Sequence, residues 1–241
     1  MKAFFALSLV ASSFLFSCKN ANNVLSKTDV STHSFTNEQL MNKVQQDALK
    51  YFWDFAEPNS MLARERYHVD DIYPENDKNV ITTGGSGFGL MTILVGVERG
   101  FIPRKEAVKR LNVMADFLAS ADRHHGAWSH WMNGETGKTV PFGKKDNGGD
   151  LVETAFLVQG IITVREYFKN GNPDEKLLAQ KMDDLWKGVE WNWYTKGGEK
   201  VLYWHWSPTY GWEMNFLFGR LQRMSHYLHS RSSFSNASNR C

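Results

Sequence analysis

Five times between Thr36 and Trp186 the chain repeats one pattern. Apolar residues recur at helical spacing, and glycine, proline or a polar stretch then ends the run. A helix with an apolar stripe must bury it against a neighbour, so a series of such runs confines the chain to packed helices. The clearest run is Leu151 to Phe168, with Leu151, Ala155, Val158, Ile162 and Tyr167 among its apolar positions. The first run begins at Thr36, with Gln39 at capping-box distance, and passes through Leu40, Val44, Ala48, Tyr51, Phe52 and Phe55 before Pro58. A glycine-rich approach, Gly84 to Gly89, leads into a run ending at Arg99, with Gly100 as its C-terminal glycine. Pro103 stands as first helical residue of the next, through Val108, Leu111, Met114, Phe117 and Leu118. Asn172-Pro173-Asp174 opens the last, through Leu177, Leu178, Met182, Leu185 and Trp186. No run of parallel strands and no short-period repeat interrupts this series, and the fold class expected is all-α.

Two stretches depart from helix. Ala127 to Asn133 and Lys138 to Phe142, joined by Gly134-Glu135-Thr136-Gly137, read as a β-hairpin. A short strand is expected over Val201 to Trp206. Residues 59–79 form a long polar loop carrying Arg64, a length that usually signals function in a compact domain. Arg64 is either a donor to sugar hydroxyls or an ordinary surface arginine. The glycines at 84–89 belong to neither a Walker loop nor a dinucleotide fingerprint, because Gly-Lys-Ser/Thr and a βαβ context are both missing. They suit close helix packing or backbone approach to a ligand.

The chemistry concentrates at the start of the Leu151 run, in Asp146-Asn147-Gly148-Gly149-Asp150-Leu151-Val152-Glu153. Asp146, Asp150 and Glu153 place three carboxylates at a helix N-terminus, where the dipole favours negative charge, behind a mobile Gly-Gly pair. Asp150 and Glu153 also have capping-box spacing, which needs no chemistry at all. The surroundings favour a site. His124, His125, Trp128, His130 and Trp131 precede the acids, and Trp204 to Glu213 follow them, with Trp204, His205, Trp206 and Trp212. Carboxylates among aromatic faces are what a sugar-cleaving cleft requires.

Three long stretches in order resemble glycoside hydrolase family 144, which overlaps the glycoamylase-like domain and contains endo-β-1,2-glucanases. They are Ile81 to Leu90, Asp146 to Leu157 and Trp204 to Asn215. The resemblance implies an (α/α)6 toroid, in which loops at one end of two concentric helix rings build the cleft. Such a ring needs roughly twice the helices counted here, so the expectation is a partial toroid with β-hairpin excursions in its active-site loops. The implied activity is hydrolysis of internal bonds of β-1,2-glucan, with Asp146, Asp150, Glu153 and Glu213 as carboxyl candidates. By resemblance Asp146 handles the proton or activates water, while Asp150 and Glu153 shape the site. Arg64, Trp128, His130, Trp131, Trp204, His205 and Trp212 would hold sugar, although each tryptophan serves equally as core. The alternative is a surface lipoprotein that binds glycan without catalysis.

With 241 residues, 42% of them hydrophobic, there is material for a core, and a net charge of +2 with scattered Lys and Arg excludes a nucleic-acid surface. Lys2, the apolar stretch Phe4 to Phe16 and Leu15-Phe16-Ser17-Cys18 resemble a bacterial lipoprotein signal with Cys18 as the lipidated residue. The expected division is a signal at 1–18, a polar tether at 19–35, a half-domain at 36–218 and a tail at 219–241. The address implied is the periplasm or cell surface of a Gram-negative bacterium, lipid-anchored to the outer membrane. The only other cysteine is Cys241, so no disulfide framework follows. No His or Cys pair has metal-ligand spacing, so neither metal nor cofactor is expected. The expected partner is a β-glucan chain, and the folded protein is expected to be a monomer.

Beyond Asn215 the chain departs from the family, which continues with a Gly-Tyr-Asn-Glu motif. Codons for Arg220 to Ser230 can be chosen so that a reading displaced by one base encodes Gly-Tyr-Asn-Glu-Cys-Leu-Ile-Thr-Tyr-Ile. The expectation is a frameshift between Asn215 and Gly219, an unfolded tail of Ser, Asn and Arg, and an inactive or weakly active chain that lacks the motif's Glu.

Overall fold

The computed structural model describes residues 35–214. The expected signal with Cys18, almost all of the expected tether and the expected frameshifted tail lie outside the described residues. Among the described residues, the unit beginning at Asn37 holds five helices: α1 (Asn37–Trp53), α2 (Thr83–Glu98), α3 (Arg104–Ser120), α4 (Leu151–Phe168) and α5 (Pro173–Lys187). Each expected helical run is a helix. α1 ends at Trp53, short of Phe55, whose ring instead meets Tyr67 at 4.5 Å. Pro103 is the cap of α3 and not its first helical residue. Arg99 caps α2, and Gly100 follows it at φ +69°, the left-handed conformation that glycine adopts without strain. α5 starts as its sequence dictates: the Asn172 side chain accepts from the Glu175 N–H, the Glu175 carboxylate returns the bond, and Pro173 occupies the first turn.

α2 and α4 carry most of the buried helix residues, whereas α1 and α5 are amphipathic. α2 packs on α4, α4 on α5, α5 on α3 and α1 on α2. The α2–α4 contact brings backbones together. A Cβ on Gly87 would sit 2.2 Å from the Phe156 carbonyl oxygen, and one on Gly160 would sit 2.3 Å from that of Gly87. Only glycine permits this approach, which closes the core through Leu90, Ile93, Leu157 and Ile161. Each such side chain, once buried, contributes about 1.5–3 kcal/mol.

The strands are short. β1 (Val80–Thr82), β2 (Trp131–Asn133) and β3 (Thr139–Val140) form an antiparallel sheet, with Ile81 opposite Met132 and Met132 opposite Thr139. The expected hairpin is thus present but shorter, and β1 joins it. β4 (Gly149–Asp150) pairs with β5 (His205–Trp206), setting Asp150 opposite His205. That pairing positions the site, because β4 runs directly into α4. The Gly-Gly pair is enclosed: Gly148 and Gly149 are both buried, and a Cβ on Gly149 would lie 1.9 Å from the Tyr194 hydroxyl oxygen.

Candidate active site

The N-terminus of α4 fixes the first carboxylate. Asp150 Oδ1 accepts from the Val152 N–H at 2.9 Å and the Glu153 N–H at 3.0 Å, so Asp150 is the N-cap. The same oxygen accepts from Trp204 Nε1 at 2.9 Å. Asp150 Oδ2 faces two imidazoles, His130 Nδ1 at 2.9 Å and His205 Nε2 at 3.4 Å. The side chain is wholly buried. Burial opposes its ionisation, but the bonds from His130 and His205 outweigh that and hold its carboxyl below the usual range.

Asp146 shares these imidazoles. Its Oδ2 lies 3.1 Å from His205 Nε2 and 3.8 Å from His130 Nδ1. Burial disfavours a charged His205, yet Asp146 and Asp150 together push its pKa up to about 9, so it is an imidazolium at neutral pH. His130 is also raised, against burial, chiefly by Asp150. Glu153 does not complete a capping box. Its Oε2 accepts from the Gly84 N–H at 2.9 Å, at the start of α2. Burial, then the neighbouring Asp150 charge, pushes its carboxyl up, toward the protonated form.

A cavity of about 520 Å³ opens on this cluster. Asp146, His130 and His205 give it polar wall, Phe142, Trp204 and Met214 give it apolar wall, and Lys144 and Lys145 stand beside them. The His130 ring stacks on Phe142, with centroids 4.1 Å apart, and Trp131 meets Phe142 edge-on at 4.8 Å. A larger cavity of about 630 Å³ lies near Trp193 but holds no comparable group of paired carboxylates and imidazoles.

Several expected sugar contacts take other roles. Trp128 is fully buried, and its Nε1 donates to the Leu118 carbonyl, so it is core; only its backbone serves the site, by accepting from the Asp150 N–H at 2.9 Å. Arg64 is neither a surface arginine nor a cleft residue. It bridges to Ile81 beside β1, is 7% exposed, and its Nε donates to the Phe55 carbonyl. Trp212 belongs to a separate cluster with Trp193, Tyr194 and Tyr203. Glu213 is exposed and pairs with Lys145 at 2.9 Å, without the burial that tunes a catalytic carboxyl. Trp131 is half-buried near the cavity through Phe142, and Trp204 lines it. Phe142 and Met214 were missed. Phe142 was legible only as the end of a hairpin strand, and nothing local marks Met214.

His130, Asp146 and Asp150 also bring three atoms capable of holding a metal within 4.8 Å of one another, although local spacing showed no such set. The two imidazoles already supply hydrogen bonds to both carboxylates there, which is the arrangement of an ion-pair cluster.

No protein-family model matches the chain. Individual proteins do. A curated exo β-1,2-glucooligosaccharide sophorohydrolase of Parabacteroides distasonis is 48% identical over 212 residues, which is 87% of this chain and 28% of that protein. The solved endo-β-1,2-glucanase from Chitinophaga pinensis, in complex with sophorotriose and glucose, is 55% identical, with a TM-score of 0.79 over 83% of this chain. The chain is a homologue of β-1,2-glucan hydrolases. A solved β-1,2-glucanase from Parabacteroides distasonis superposes with a TM-score of 0.74 at 47% identity over 81% of this chain. These homologues bear out the resemblance to glycoside hydrolase family 144 and the glycoamylase-like (α/α)6 architecture. The chain spans 48% of the Chitinophaga structure and 28% of each Parabacteroides protein.

Proposed function

We propose that this chain carries a β-1,2-glucan-binding cleft and the water-activating carboxylate of an endo-β-1,2-glucanase-type site. The observation that carries the reading is the position of Asp146. Among the four carboxyl candidates, Asp146 is the one that lines the cavity, next to the aromatic wall of Phe142 and Trp204. Asp150 is saturated by its cap, indole and imidazole bonds, and Glu153 is tied to the start of α2, so both shape the site.

In an inverting hydrolysis a carboxylate takes a proton from the water that attacks the anomeric carbon, while a second carboxyl group, roughly 6.5–9.5 Å away, protonates the leaving oxygen. Asp146 suits the first task. The Glu of the family's Gly-Tyr-Asn-Glu motif would suit the second by its separation from the helix start, and this sequence does not contain that motif. Glucan binding with weak or no bond cleavage is therefore the expected behaviour of this chain. We place it, through the Cys18 signal, on the outer membrane of a Gram-negative bacterium, working as a monomer on glucan.

The test runs calorimetry and reducing-sugar release side by side on β-1,2-glucan, for the natural chain and for Asp146→Asn. Binding with little release supports the reading, as does any release that Asp146→Asn abolishes. A chain that binds no β-1,2-glucan, or releases sugar equally well without Asp146, overturns it.

A further inference from the structure

The sequence offered His205 as a sugar contact, and the structure turns its ring nitrogen toward two carboxylates at the cavity wall. It is 6% exposed, and Trp204 covers one face of its ring in a parallel stack at 5.1 Å and 7°. Its Nε2 points between two carboxylates, at 3.1 Å from Asp146 and 3.4 Å from Asp150. We propose that His205 is a positioning residue: a buried imidazolium that holds Asp146 and Asp150 as a charge-balanced pair, fixing Asp146 Oδ2 so that its other oxygen is left to meet a water or a sugar hydroxyl in the cavity. The inference rests on the glucanase-type reading for its purpose, but its physical content stands without it.

Two ionised carboxylates that share a buried site repel each other, and one of them ordinarily takes up a proton. A protonated Asp146 could not accept a proton from water. Facing the pair from β5 is His205, and from the segment just before β2 is His130, 2.9 Å from Asp150 and 3.8 Å from Asp146. Glu153 lies behind Asp150, where burial, then the Asp150 charge, pushes its carboxyl up. Tyr194 is pushed up by burial and remains a neutral phenol. Lys144 and Lys145 stand at the cavity, with Lys145 engaged by Glu213. Two imidazoles therefore stand directly against the Asp146–Asp150 pair. Backbone pairing enforces the geometry, since His205 sits opposite Asp150 in the β4–β5 register.

Burial lowers and the two carboxylates raise the pKa of His205, with a net result of about 9. The clamp is therefore closed at neutral pH and opens as pH rises through that value. The test follows both imidazoles by nitrogen-15 NMR during a pH titration of the ligand-free chain. It compares the natural chain with Asp146→Asn, His205→Gln and His205→Lys. The expected midpoint of His205 is near 9, falling by about one unit or more in Asp146→Asn, a tenfold change in its protonation equilibrium. In His205→Gln the His130 midpoint should rise, because His130 is then the one cation between two carboxylates. His205→Lys restores a cation and should return it toward the natural value. A His205 that titrates near 6.5, or a His130 midpoint indifferent to His205→Gln, overturns the clamp. If the titrations behave as stated but the chain binds no β-1,2-glucan, the clamp stands and the glucanase reading fails.

Discussion

Asp150→Asn should destabilise the chain by an amount that depends on pH in a defined direction. Asparagine keeps the shape and can still accept from the Val152 and Glu153 N–H groups, so the α4 cap survives. What disappears is the negative charge facing His130 at 2.9 Å and His205 at 3.4 Å. The displacement of His205 from 6.5 to about 9 corresponds to roughly 3 kcal/mol of favourable interaction, shared between Asp146 and Asp150. Removing one partner of a buried pair typically costs about 3–5 kcal/mol, and here Asp146 remains to compensate in part. A loss of about 2–3 kcal/mol at pH 7 is expected. The His205 contribution has a raised folded pKa, so it is complete below 6.5 and is lost as pH rises through about 9. Hence the variant's deficit should shrink toward pH 10, where the natural chain has lost the same interaction. Urea unfolding, followed by tryptophan fluorescence at pH 7 and pH 10, reads this directly. With a slope of about 2 kcal/mol per molar, the midpoint should fall by about 1 M or more at pH 7. A variant as stable as the natural chain at pH 7, or a deficit that is unchanged at pH 10, would refute the ion-pair account of this cluster.

Trp128→Phe should lower stability by about 1–3 kcal/mol through a lost buried indole bond and lost volume, with glucan affinity unchanged in calorimetry. Gly87→Ala should be among the more damaging small substitutions, about 1–3 kcal/mol or more, because α2 and α4 must separate; thermal unfolding measures it. Phe142→Ala should weaken glucan binding by up to about tenfold through loss of an aromatic wall, with the fold intact by circular dichroism. Glu213→Gln should leave glucan affinity within about twofold, since its carboxylate is exposed and its pair with the partly exposed Lys145 is screened by water.

The helices were legible because their causes are local. Apolar spacing announces each run, and Asn172-Pro173-Asp174-Glu175 carries its own cap and start signal. The three acids at the head of α4 were legible for the same reason, as was the hairpin that brings His130 beside them. The assignment of individual side chains within that neighbourhood was less so. Trp128 and Trp204 look equivalent in sequence, each in an aromatic and histidine-rich stretch. One is sealed beneath α3 with its indole on Leu118, and the other lines the cavity with its indole on Asp150. Which face of a two- or three-residue strand meets the core is set by its partner strand, and that partner lies 51 residues away in the Ile81–Met132 register and 55 in the Asp150–His205 register.

Sequence alone determined the all-α class, the order of the helices, the resemblance to β-1,2-glucan hydrolases and the acidic mouth of α4. Periodicity, caps and motif order act over a few residues and survive without knowledge of the fold. Tertiary structure alone decided that Asp150 is sequestered while Asp146 reaches the cavity, that Arg64 is tucked against Phe55, and that His205 is a charged clamp between two carboxylates. Burial and charge pairing are properties of what lies across space, and the residues that set them here are brought together only when β5 pairs with β4.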